Sequence, residues 1–293
     1  MPRRTEPAGL SSEQDGRALF RARGLRAKRS FGQCFLADAN IARAIAREAT
    51  TPPGGTTLEI GAGTGALTRP LLERAARVVA IERDRQLVPL LQESLGSWLT
   101  ADRLRLVEAD AVQCDWVGLL QQGPAPRIVA GNVPYQITGR LLEKAVSVAA
   151  HVDRVVFMVQ REVAERVAAT CGSKQYGALS VFVTRAYVVR RRLAVPASCF
   201  RPRPEVDSSV LVLERRQDQP VEPCDEAFEA LVVAGFAQRR KTLRNAWRDV
   251  LELDAAQLHD IARSASIDLG ARAETLPVTA FEAMAREVRA RTR

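Results

Sequence analysis

The sequence predicts an α/β fold, in which a doubly wound and mainly parallel sheet is followed by a small all-helical region. Five short apolar segments alternate with helical patterns, as parallel strands and crossover helices do. The polar segment 215–223 contains two prolines and resembles a linker. Beyond it, apolar residues recur only at helical spacing. We therefore expect a flexible tail over residues 1–20, a sheet domain over 21–214 and a helical domain over 215–293.

The sheet is predicted from strands that each end near a chemically distinctive residue. A helix with Ile41 and Ile45 on one face, capped by Asp38 or Asn40, is expected before the sheet. The five predicted strands, in chain order, are Thr57–Ile60, Val78–Ile81, Leu104–Val107, Ile128–Ala130 and Val155–Val159. Such unbroken apolar runs indicate strands that are covered on both faces.

The connections and the last elements of the sheet are less distinct in the sequence. Asp84 is expected to cap the helix after the second strand, and Gly131 to end the fourth strand. Helices are expected over residues 138–150 and 161–169. The segment 176–186 fits a helix or a strand, with a helix favoured. Two β-rich segments, Tyr187–Val189 and Val206–Leu213, are candidates to extend the sheet.

The composition indicates a soluble protein with a polyanionic partner. The net charge is +9 and the pI is 9.9, which favours nucleic acid over an anionic membrane. A GC-rich genome would explain the preference for arginine over lysine, but not the excess over acids. The 5 scattered cysteines and 2 histidines predict no disulfide framework and no metal site. No secretory signal or membrane span is visible, so we expect a cytoplasmic protein.

A nucleotide-binding site is predicted from a glycine-rich turn and two acids. Gly61-Ala62-Gly63-Thr64-Gly65 follows the first strand, and such glycines allow a ligand to approach the backbone. Glu82 ends the second strand and could accept hydrogen bonds from ribose hydroxyls, whereas Asp110 follows the third strand and could accept one from adenine. With Ala66 the turn also fits a dinucleotide motif. The acids after two strands and the amide after the fourth favour S-adenosylmethionine.

The candidate catalytic turn is Asn132-Val133-Pro134-Tyr135, at the carboxyl end of the fourth strand, where α/β sheets bind ligands. The Asn132 oxygen and the Val133 carbonyl could accept the two N–H bonds of an exocyclic amine and return electron density to its nitrogen. Tyr135 could stack on the base, a contact typically worth about 1–3 kcal/mol. Phe200 could close the stack from the other side, or it could be a buried anchor of its loop. Both alternatives remain open from spacing alone.

Basic clusters are the third functional signal. They are Arg21 to Arg29, Arg190 to Arg192, and Arg239-Arg240-Lys241 with Arg244. The last is expected to lie on a helix. A solvated helix face is the common explanation of such a run, but beside a base-modifying site the clusters favour phosphate contacts. RNA would then be recognised by shape and unpaired loop bases, with the target nucleotide turned out of its stack.

Taken together, these segments resemble the small-subunit ribosomal RNA adenine N6,N6-dimethyltransferases of the KsgA/RsmA type. The resemblance runs from about Lys28 to Glu287. The matching segments are Phe31–Gln33 with Phe35–Leu36, Leu58–Thr68, Gly131–Tyr135, Val159–Arg166, Tyr176–Val181, Phe200–Pro204, Val206–Ser209, Phe236–Asn245 and Arg272–Glu274. Their number and order make the resemblance highly specific.

The resemblance implies a Rossmann-like, S-adenosylmethionine-dependent methyltransferase that dimethylates two adjacent adenosines near the 3′ end of 16S rRNA, acting as a monomer on the immature 30S subunit. It implies a cofactor site of Cys34, Leu36, Gly61, Gly63, Glu82, Asp110 and Asn132, with Asn132, Tyr135 and Phe200 at the adenine. The helical C-terminal region, with Arg239, Arg240, Lys241 and Arg244, would dock on rRNA.

Three departures from the family pattern are visible. Cys34 replaces the usual Asn, Gly139-Arg140 replaces a small residue and proline, and Glu205 replaces a common Lys. Two alternatives remain: a large-subunit adenine methyltransferase of the macrolide-resistance type, and a ribosome-assembly factor without catalysis. Phe236–Asn245 and Arg272–Glu274 favour the small-subunit enzyme over the first. The intact Glu82, Asp110 and Asn132 argue against the second.

Overall fold

The computed structural model describes residues 16–217, 226–248, 250 and 253–291. Its strands, in chain order, are β1 Phe35–Leu36, β2 Thr56–Ile60, β3 Arg77–Glu82, β4 Leu104–Glu108, β5 Arg127–Asn132, β6 Arg154–Gln160, β7 Tyr187–Val195, β8 Phe200–Arg201 and β9 Ser208–Arg215. Its α-helices are α1 Gly16–Ala22, α2 Ala39–Ala49, α3 Thr68–Leu72, α4 Val88–Ser94, α5 Gly96–Thr100, α6 Trp116–Leu120, α7 Thr138–Ser147, α8 Arg161–Val167, α9 Ala178–Ala186, α10 Glu226–Ala237, α11 Leu243–Ala246, α12 Ala255–Ser264 and α13 Val278–Arg291.

The predicted α/β fold is confirmed. A seven-stranded sheet has the order β4-β3-β2-β5-β6-β9-β7, and its pairs β2–β3, β2–β5 and β3–β4 are parallel. All five predicted strands are present, with bounds extended by one or two residues. The fourth one corrects a prediction, because β5 continues through Gly131 and ends at Asn132. The candidate catalytic amide is therefore the last residue of a strand.

The chain divides into two compact units. The first contains the chain up to Ile137 with Val156–Met158 and Val195–Asp207, and the second contains Thr138–Val155, Val159–Ala194 and Ser208–Arg293. The predicted boundary at 214/215 follows the order of elements in the sequence and stays a prediction. Segment 218–225, which covers most of the predicted linker, lies outside the described residues.

The first unit corrects the prediction of a tail over residues 1–20. Residues 1–15 lie outside the described part, but residues 16–20 belong to α1, which packs on α4. Leu19 is buried, and the Phe20 ring meets the Phe35 ring edge to face at 5.2 Å. Gly16 allows this docking, since a Cβ there would lie 2.1 Å from the carbonyl oxygen of Thr64. Helix α1 therefore supports the glycine-rich turn from behind.

The same unit shows how α2 and α4 begin. Asp38 caps α2 as predicted, because its side chain accepts hydrogen bonds from the amides of Asn40 and Ile41. Asp84 does not cap α4, which begins at Val88 after an uncapped Leu87. The Asp84 side chain instead accepts a bond from the Gln86 amide and from two side chains distant in sequence.

The second unit has an apolar core built mainly by the C-terminal helices. Phe228, Leu231, Trp247 and Phe281 are almost completely buried in it. The same core includes Tyr176, from the segment just before α9, so helices on both sides of the predicted 214/215 boundary share it. Residues 178–186 form the favoured helix α9, and the two β-rich segments form β7 and β9. No helix in the described part of the chain is long and apolar enough to cross a membrane.

Candidate active site

A cleft in the first unit lies at the carboxyl ends of β2, β3, β4 and β5. It encloses about 1130 Å³ of space, its open mouth included. Among the residues that line it are the following predicted site residues: Cys34, Leu36, Gly61, Gly63, Glu82, Asp110, Asn132 and Tyr135. The parallel pairing explains this convergence. The paired strands run in the same direction, so their last residues lie at the same edge of the sheet.

The glycine-rich turn forms the floor of this cleft. Gly61, Gly63 and Gly65 have φ of 74°, 59° and 80°, a region that side chains disfavour. A Cβ on Gly61 would meet only the Asn132 carbonyl oxygen, at 3.9 Å, so it would otherwise project into open space. The amides of Gly61 and Ala62 both donate to the Ile81 carbonyl, and helix α3 begins only at Thr68. The turn therefore offers surface for close approach, whereas these two amides are used within the protein.

Glu82 joins β3 to the glycine-rich turn. Its carboxylate accepts hydrogen bonds from the amides of Gly63, at 2.8 Å, and Asp84, at 2.7 Å. Burial raises the pKa of Glu82, and these two hydrogen bonds oppose the shift. The side chain is thus fixed at the end of its strand. Carboxylate oxygens each accept more than one hydrogen bond, so this position still suits ribose hydroxyls.

Asp110 and Arg83 lie at the cleft mouth. One Asp110 carboxylate oxygen accepts from the Val112 amide at 2.9 Å, and the other lies 3.2 Å from an Arg83 guanidinium nitrogen. Arg83 in turn lies over the Phe31 ring, 5.4 Å from its centroid. Phe31 lines the cleft, and neither it nor Arg83 was among the predicted site residues.

Glu59 is a cleft residue that sequence reasoning missed. It lies in β2 between Leu58 and Ile60, is 1 % exposed, and one of its carboxylate oxygens has no hydrogen-bond partner within the described residues. Burial raises the pKa of Glu59 to about 8, and repulsion by Glu82 adds to the shift. Its carboxyl group is therefore mostly neutral at pH 7. A lone acid inside an apolar strand was the available signal.

The orientation of the Asn132 amide is fixed by the segment before β1. Its nitrogen Nδ2 donates to the backbone carbonyl of Cys34 at 2.9 Å. A carbonyl can only accept, so the amide nitrogen must face it, and Oδ1 is turned to the opposite side. Cys34 makes this contact through its backbone, so the contact itself does not require the usual Asn at this position. Burial raises the pKa of the Cys34 thiol.

Phe200 lies outside the cleft lining. It pairs with Leu36 in the short antiparallel β1–β8 ladder and is completely buried. In this conformation its ring has no exposed face on which a base could stack. This agrees with the alternative in which Phe200 is a buried anchor of its loop. Its stacking role stays a prediction.

The third basic cluster lies in the second unit, and the structure corrects its setting. Helix α10 ends at Ala237, so residues 238–241 form a turn, and only Arg244 lies on a helix, α11. Arg239 donates to the carbonyls of Lys174 and Tyr176, at 2.9 and 3.1 Å, and pairs with Glu274 at 3.3 Å. Arg240, Lys241 and Arg244 are exposed. Arg239 thus binds the protein itself, and its three neighbours are the better phosphate candidates.

Members of the other two clusters are also paired with acids of their own unit. Within the second cluster, Arg190 pairs with Glu214 at 2.7 Å, and Arg191 lies 3.7 Å from Glu165. The two arginines lie on β7, the last strand of the sheet order. In the first cluster, Lys28 pairs with Asp84 at 2.6 Å and Arg23 pairs with Glu93. Basic runs in the sequence are therefore not equivalent to free positive surface.

The family comparison decides what kind of protein carries this cleft. The family model "Ribosomal RNA adenine dimethylase" matches residues 24–288. Proteins named ribosomal RNA small subunit methyltransferase A are 43 % identical in Anaeromyxobacter sp. (strain K) over 278 residues, and 43 % identical in Moorella thermoacetica over 281 residues. Each alignment covers 92 % of this chain, and it covers 96 % and 95 % of the relative.

The chain belongs to the ribosomal RNA adenine dimethylase family. The expected enzyme class, an rRNA adenine dimethyltransferase that uses S-adenosylmethionine, is thereby confirmed. The dimethylase also resembles two solved structures at 24 % identity. One is a dimethyladenosine transferase from Plasmodium falciparum, with a TM-score of 0.70 over 85 % of this chain and 95 % of the other. The second is the 23S rRNA methyltransferase ErmE, with a TM-score of 0.63 over 87 % and 99 %. Both confirm the Rossmann-like fold.

The cleft of the dimethylase fits its cofactor. Gly61 leaves open space that a side chain would fill, and Glu82 and Asp110 place hydrogen-bond acceptors at the ends of neighbouring strands. These features match a nucleoside with ribose hydroxyls and an adenine amino group. The neutral Glu59 lowers the negative charge of the buried end of the cleft, so burial of the Glu82 carboxylate is less costly.

Proposed function

We propose that this protein dimethylates the N6 atoms of two adjacent adenosines in the 3′-terminal hairpin loop of 16S rRNA, within the immature 30S subunit. The proposal includes a cytoplasmic, monomeric enzyme. The observation that supports the chemistry is the orientation of the Asn132 amide. Asn132 lies at the end of β5, beside the glycine-rich turn, and its amide is oriented by the Cys34 carbonyl. The small-subunit substrate is supported by the names of relatives that are 43 % identical over almost their whole length.

The mechanism assigns separate tasks to several residues of the cleft. S-adenosylmethionine supplies an activated methyl group, so no strong base or metal is needed. Glu82, Asp110 and the glycine-rich turn hold the nucleoside part of this cofactor. Asn132 Oδ1 and the Val133 carbonyl accept the two N6–H bonds of adenine and so make its lone pair available. Tyr135 would stack on the base and so orient N6 for transfer. One proton leaves N6 for each methyl group added, and it passes to water.

The order of strands explains why these tasks can be performed together. The turn after β2 carries the cofactor contacts, and the end of β5 carries the base contacts. Because β2 and β5 are paired neighbours, the two sets of contacts lie side by side at one sheet edge. Preorganised acceptors of this kind need no rearrangement when the base arrives.

The deciding experiment is a methylation map. The protein is incubated with immature small subunits, with large subunits, and with labelled S-adenosylmethionine, and the labelled nucleotides are then located. We expect dimethylated adenosines at two adjacent positions of the 3′-terminal hairpin of 16S rRNA. Label confined to large-subunit RNA would support the macrolide-resistance alternative. Specific binding to the small subunit without any label would support the non-catalytic assembly factor.

The exposed members of the third basic cluster give a prediction about RNA binding. Substituting Arg240, Lys241 and Arg244 together by Gln should reduce the salt dependence of binding, because fewer counterions are released from phosphates. The slope of log K against log salt should fall by about 2 units, at roughly 0.7 per lost contact. Binding to small subunits, measured between low and high salt, checks this expectation.

A matched variant separates local contacts from overall charge. Substituting the exposed Arg43, Arg47 and Arg263 by Gln removes the same number of positive charges from other surfaces. This variant should keep nearly the wild-type slope. An equal decrease in slope in the two triple variants would show that net charge, and not the cluster of Arg240, Lys241 and Arg244, governs RNA binding.

A further inference from the structure

Asp84 is a buried acid that the mechanism described above does not use. It is 3 % exposed, yet its carboxylate has three donors. Lys28 Nζ lies at 2.6 Å, Gln33 Nε2 at 2.9 Å and the Gln86 amide at 3.1 Å. Burial alone would raise the pKa of Asp84, but these hydrogen bonds outweigh it and lower the pKa. The group is thus a fixed negative charge at the start of the β3–α4 connection.

Two of these donors belong to one short segment that covers the cleft. Ser30 to Leu36 all line the cleft, and Lys28 lies shortly before them in the chain. The segment is closed into a loop by the Lys28 amide, which donates to the Gln33 side-chain oxygen at 2.7 Å. Gln33 therefore uses its oxygen within the loop and its nitrogen on Asp84. A single carboxylate holds both ends of the loop 28–33.

The ring of Phe31 is held at the crest of this loop. Lys28 Nζ and the Arg83 guanidinium both lie 5.4 Å from its centroid. Each cation is itself fixed by an acid, Lys28 by Asp84 and Arg83 by Asp110. Cation–π contacts of this kind are typically worth about 0.5–1 kcal/mol at exposed sites. The acid–base pairs thus determine where the aromatic edge of the cleft lies.

The same loop leads directly to the residue that orients the catalytic amide. Cys34, whose carbonyl accepts from Asn132, follows Gln33 in the chain. Movement of the loop 28–33 would therefore change both the cover of the cofactor and the support of Asn132. No described residue of the loop 28–33 is fully buried, so the loop has little apolar burial of its own to hold it in place.

We propose that Asp84 is a positioning residue for the cofactor, which holds the loop 28–33 closed over the cleft through Lys28 and Gln33. This inference rests on the proposed function only in taking the cleft as the cofactor site. It assigns a task to an acid that contacts neither the cofactor nor the base. The energy comes from charge-assisted hydrogen bonds to a buried carboxylate, which are stronger than neutral ones.

The test measures binding of the reaction product S-adenosylhomocysteine by calorimetry, without RNA. Asp84→Asn should weaken binding about tenfold or more, as expected for loss of one charge-assisted hydrogen bond. Hydrogen exchange of the amides of residues 28–34 should become faster in the same variant. In turnover assays KM for S-adenosylmethionine should rise. KM for the RNA and kcat should change little at saturating cofactor, because the bound cofactor then holds the loop closed and Asn132 keeps its support.

Variants of Lys28 keep the proposal testable if Asp84→Asn does not fold. Lys28 is only partly buried, so Lys28→Met is easily accommodated and should reproduce the loss of affinity. Lys28→Arg keeps a charged donor and should restore most of it. The matched control is Asp102→Asn, which breaks the exposed Arg77–Asp102 pair away from the cleft and should leave binding unchanged.

The outcomes separate this inference from the proposed substrate. Wild-type affinity and wild-type exchange in Asp84→Asn and Lys28→Met, even with a lower melting temperature, would overturn the positioning role. An equal loss of affinity for S-adenosylhomocysteine in Lys28→Met and Lys28→Arg would also contradict the positioning role. If the wild-type protein bound S-adenosylhomocysteine but labelled no small-subunit RNA, the proposed substrate would fail while calorimetry still decided the role of Asp84.

Discussion

Asn132→Ala should strongly reduce the rate of methyl transfer while leaving RNA binding nearly intact. Its Oδ1 is turned away from the Cys34 carbonyl by the bond that Nδ2 makes there, and it is the oriented acceptor at the cleft. Removal of one preorganised hydrogen-bonding group from an active site typically lowers kcat by about 10²–10³-fold. Single-turnover transfer of label to small-subunit RNA measures this loss directly.

Two further variants sharpen the test of Asn132. Asn132→Asp keeps one oxygen toward the base but places a second oxygen against the Cys34 carbonyl, so the side chain should turn away and transfer should again be lost. Asn40→Ala is the matched control, because Asn40 is exposed at the start of α2, where its side chain accepts a hydrogen bond from Arg43. Wild-type turnover in Asn132→Ala would refute the acceptor role.

Glu82→Ala is expected to have the largest effect on cofactor binding. The substitution removes the acceptor for the ribose hydroxyls and leaves the amides of Gly63 and Asp84 without their partner. Hydrogen bonds to a charged group contribute about 1.5–3 kcal/mol each, so the loss of two should weaken binding at least about 100-fold. Calorimetry with S-adenosylhomocysteine measures the change.

The matched control for Glu82 is the last residue of the neighbouring strand. Glu108 ends β4 as Glu82 ends β3, and the two are register partners, but Glu108 is exposed and pairs with Arg85. Glu108→Ala should therefore bind the cofactor as the wild type does. Similar affinities for the Glu82→Ala and wild-type proteins would show that the ribose is held elsewhere.

The parts of the site that the sequence predicted are those that depend on local order along the chain. Glu82 and Asn132 end strands, and Asp110 follows one closely, so apolar runs followed by polar residues revealed all three. Parallel pairing then brought them to one edge, which is a general property of such sheets. The Rossmann-like fold was predictable for the same reason.

The parts that the sequence did not predict depend on distant partners. Asp84 looks like a helix cap, but its donors Lys28 and Gln33 lie 56 and 51 positions away. Arg239 looks like a phosphate ligand, but its partner Glu274 lies 35 positions away. Strand β7 was recognised only at Tyr187–Val189, because three exposed arginines interrupt its apolar pattern. No local pattern contains this information.

Gly131 has a consequence for the distance between the two reactants. A Cβ at this position would lie 2.6 Å from the Ile60 carbonyl oxygen, so a larger residue would force β5 away from β2. Paired strands lie about 4.8 Å apart. In the proposed mechanism, the backbone pairing of β2 and β5 would therefore set the distance between methyl donor and acceptor, and Gly131, which does not line the cleft, would preserve it.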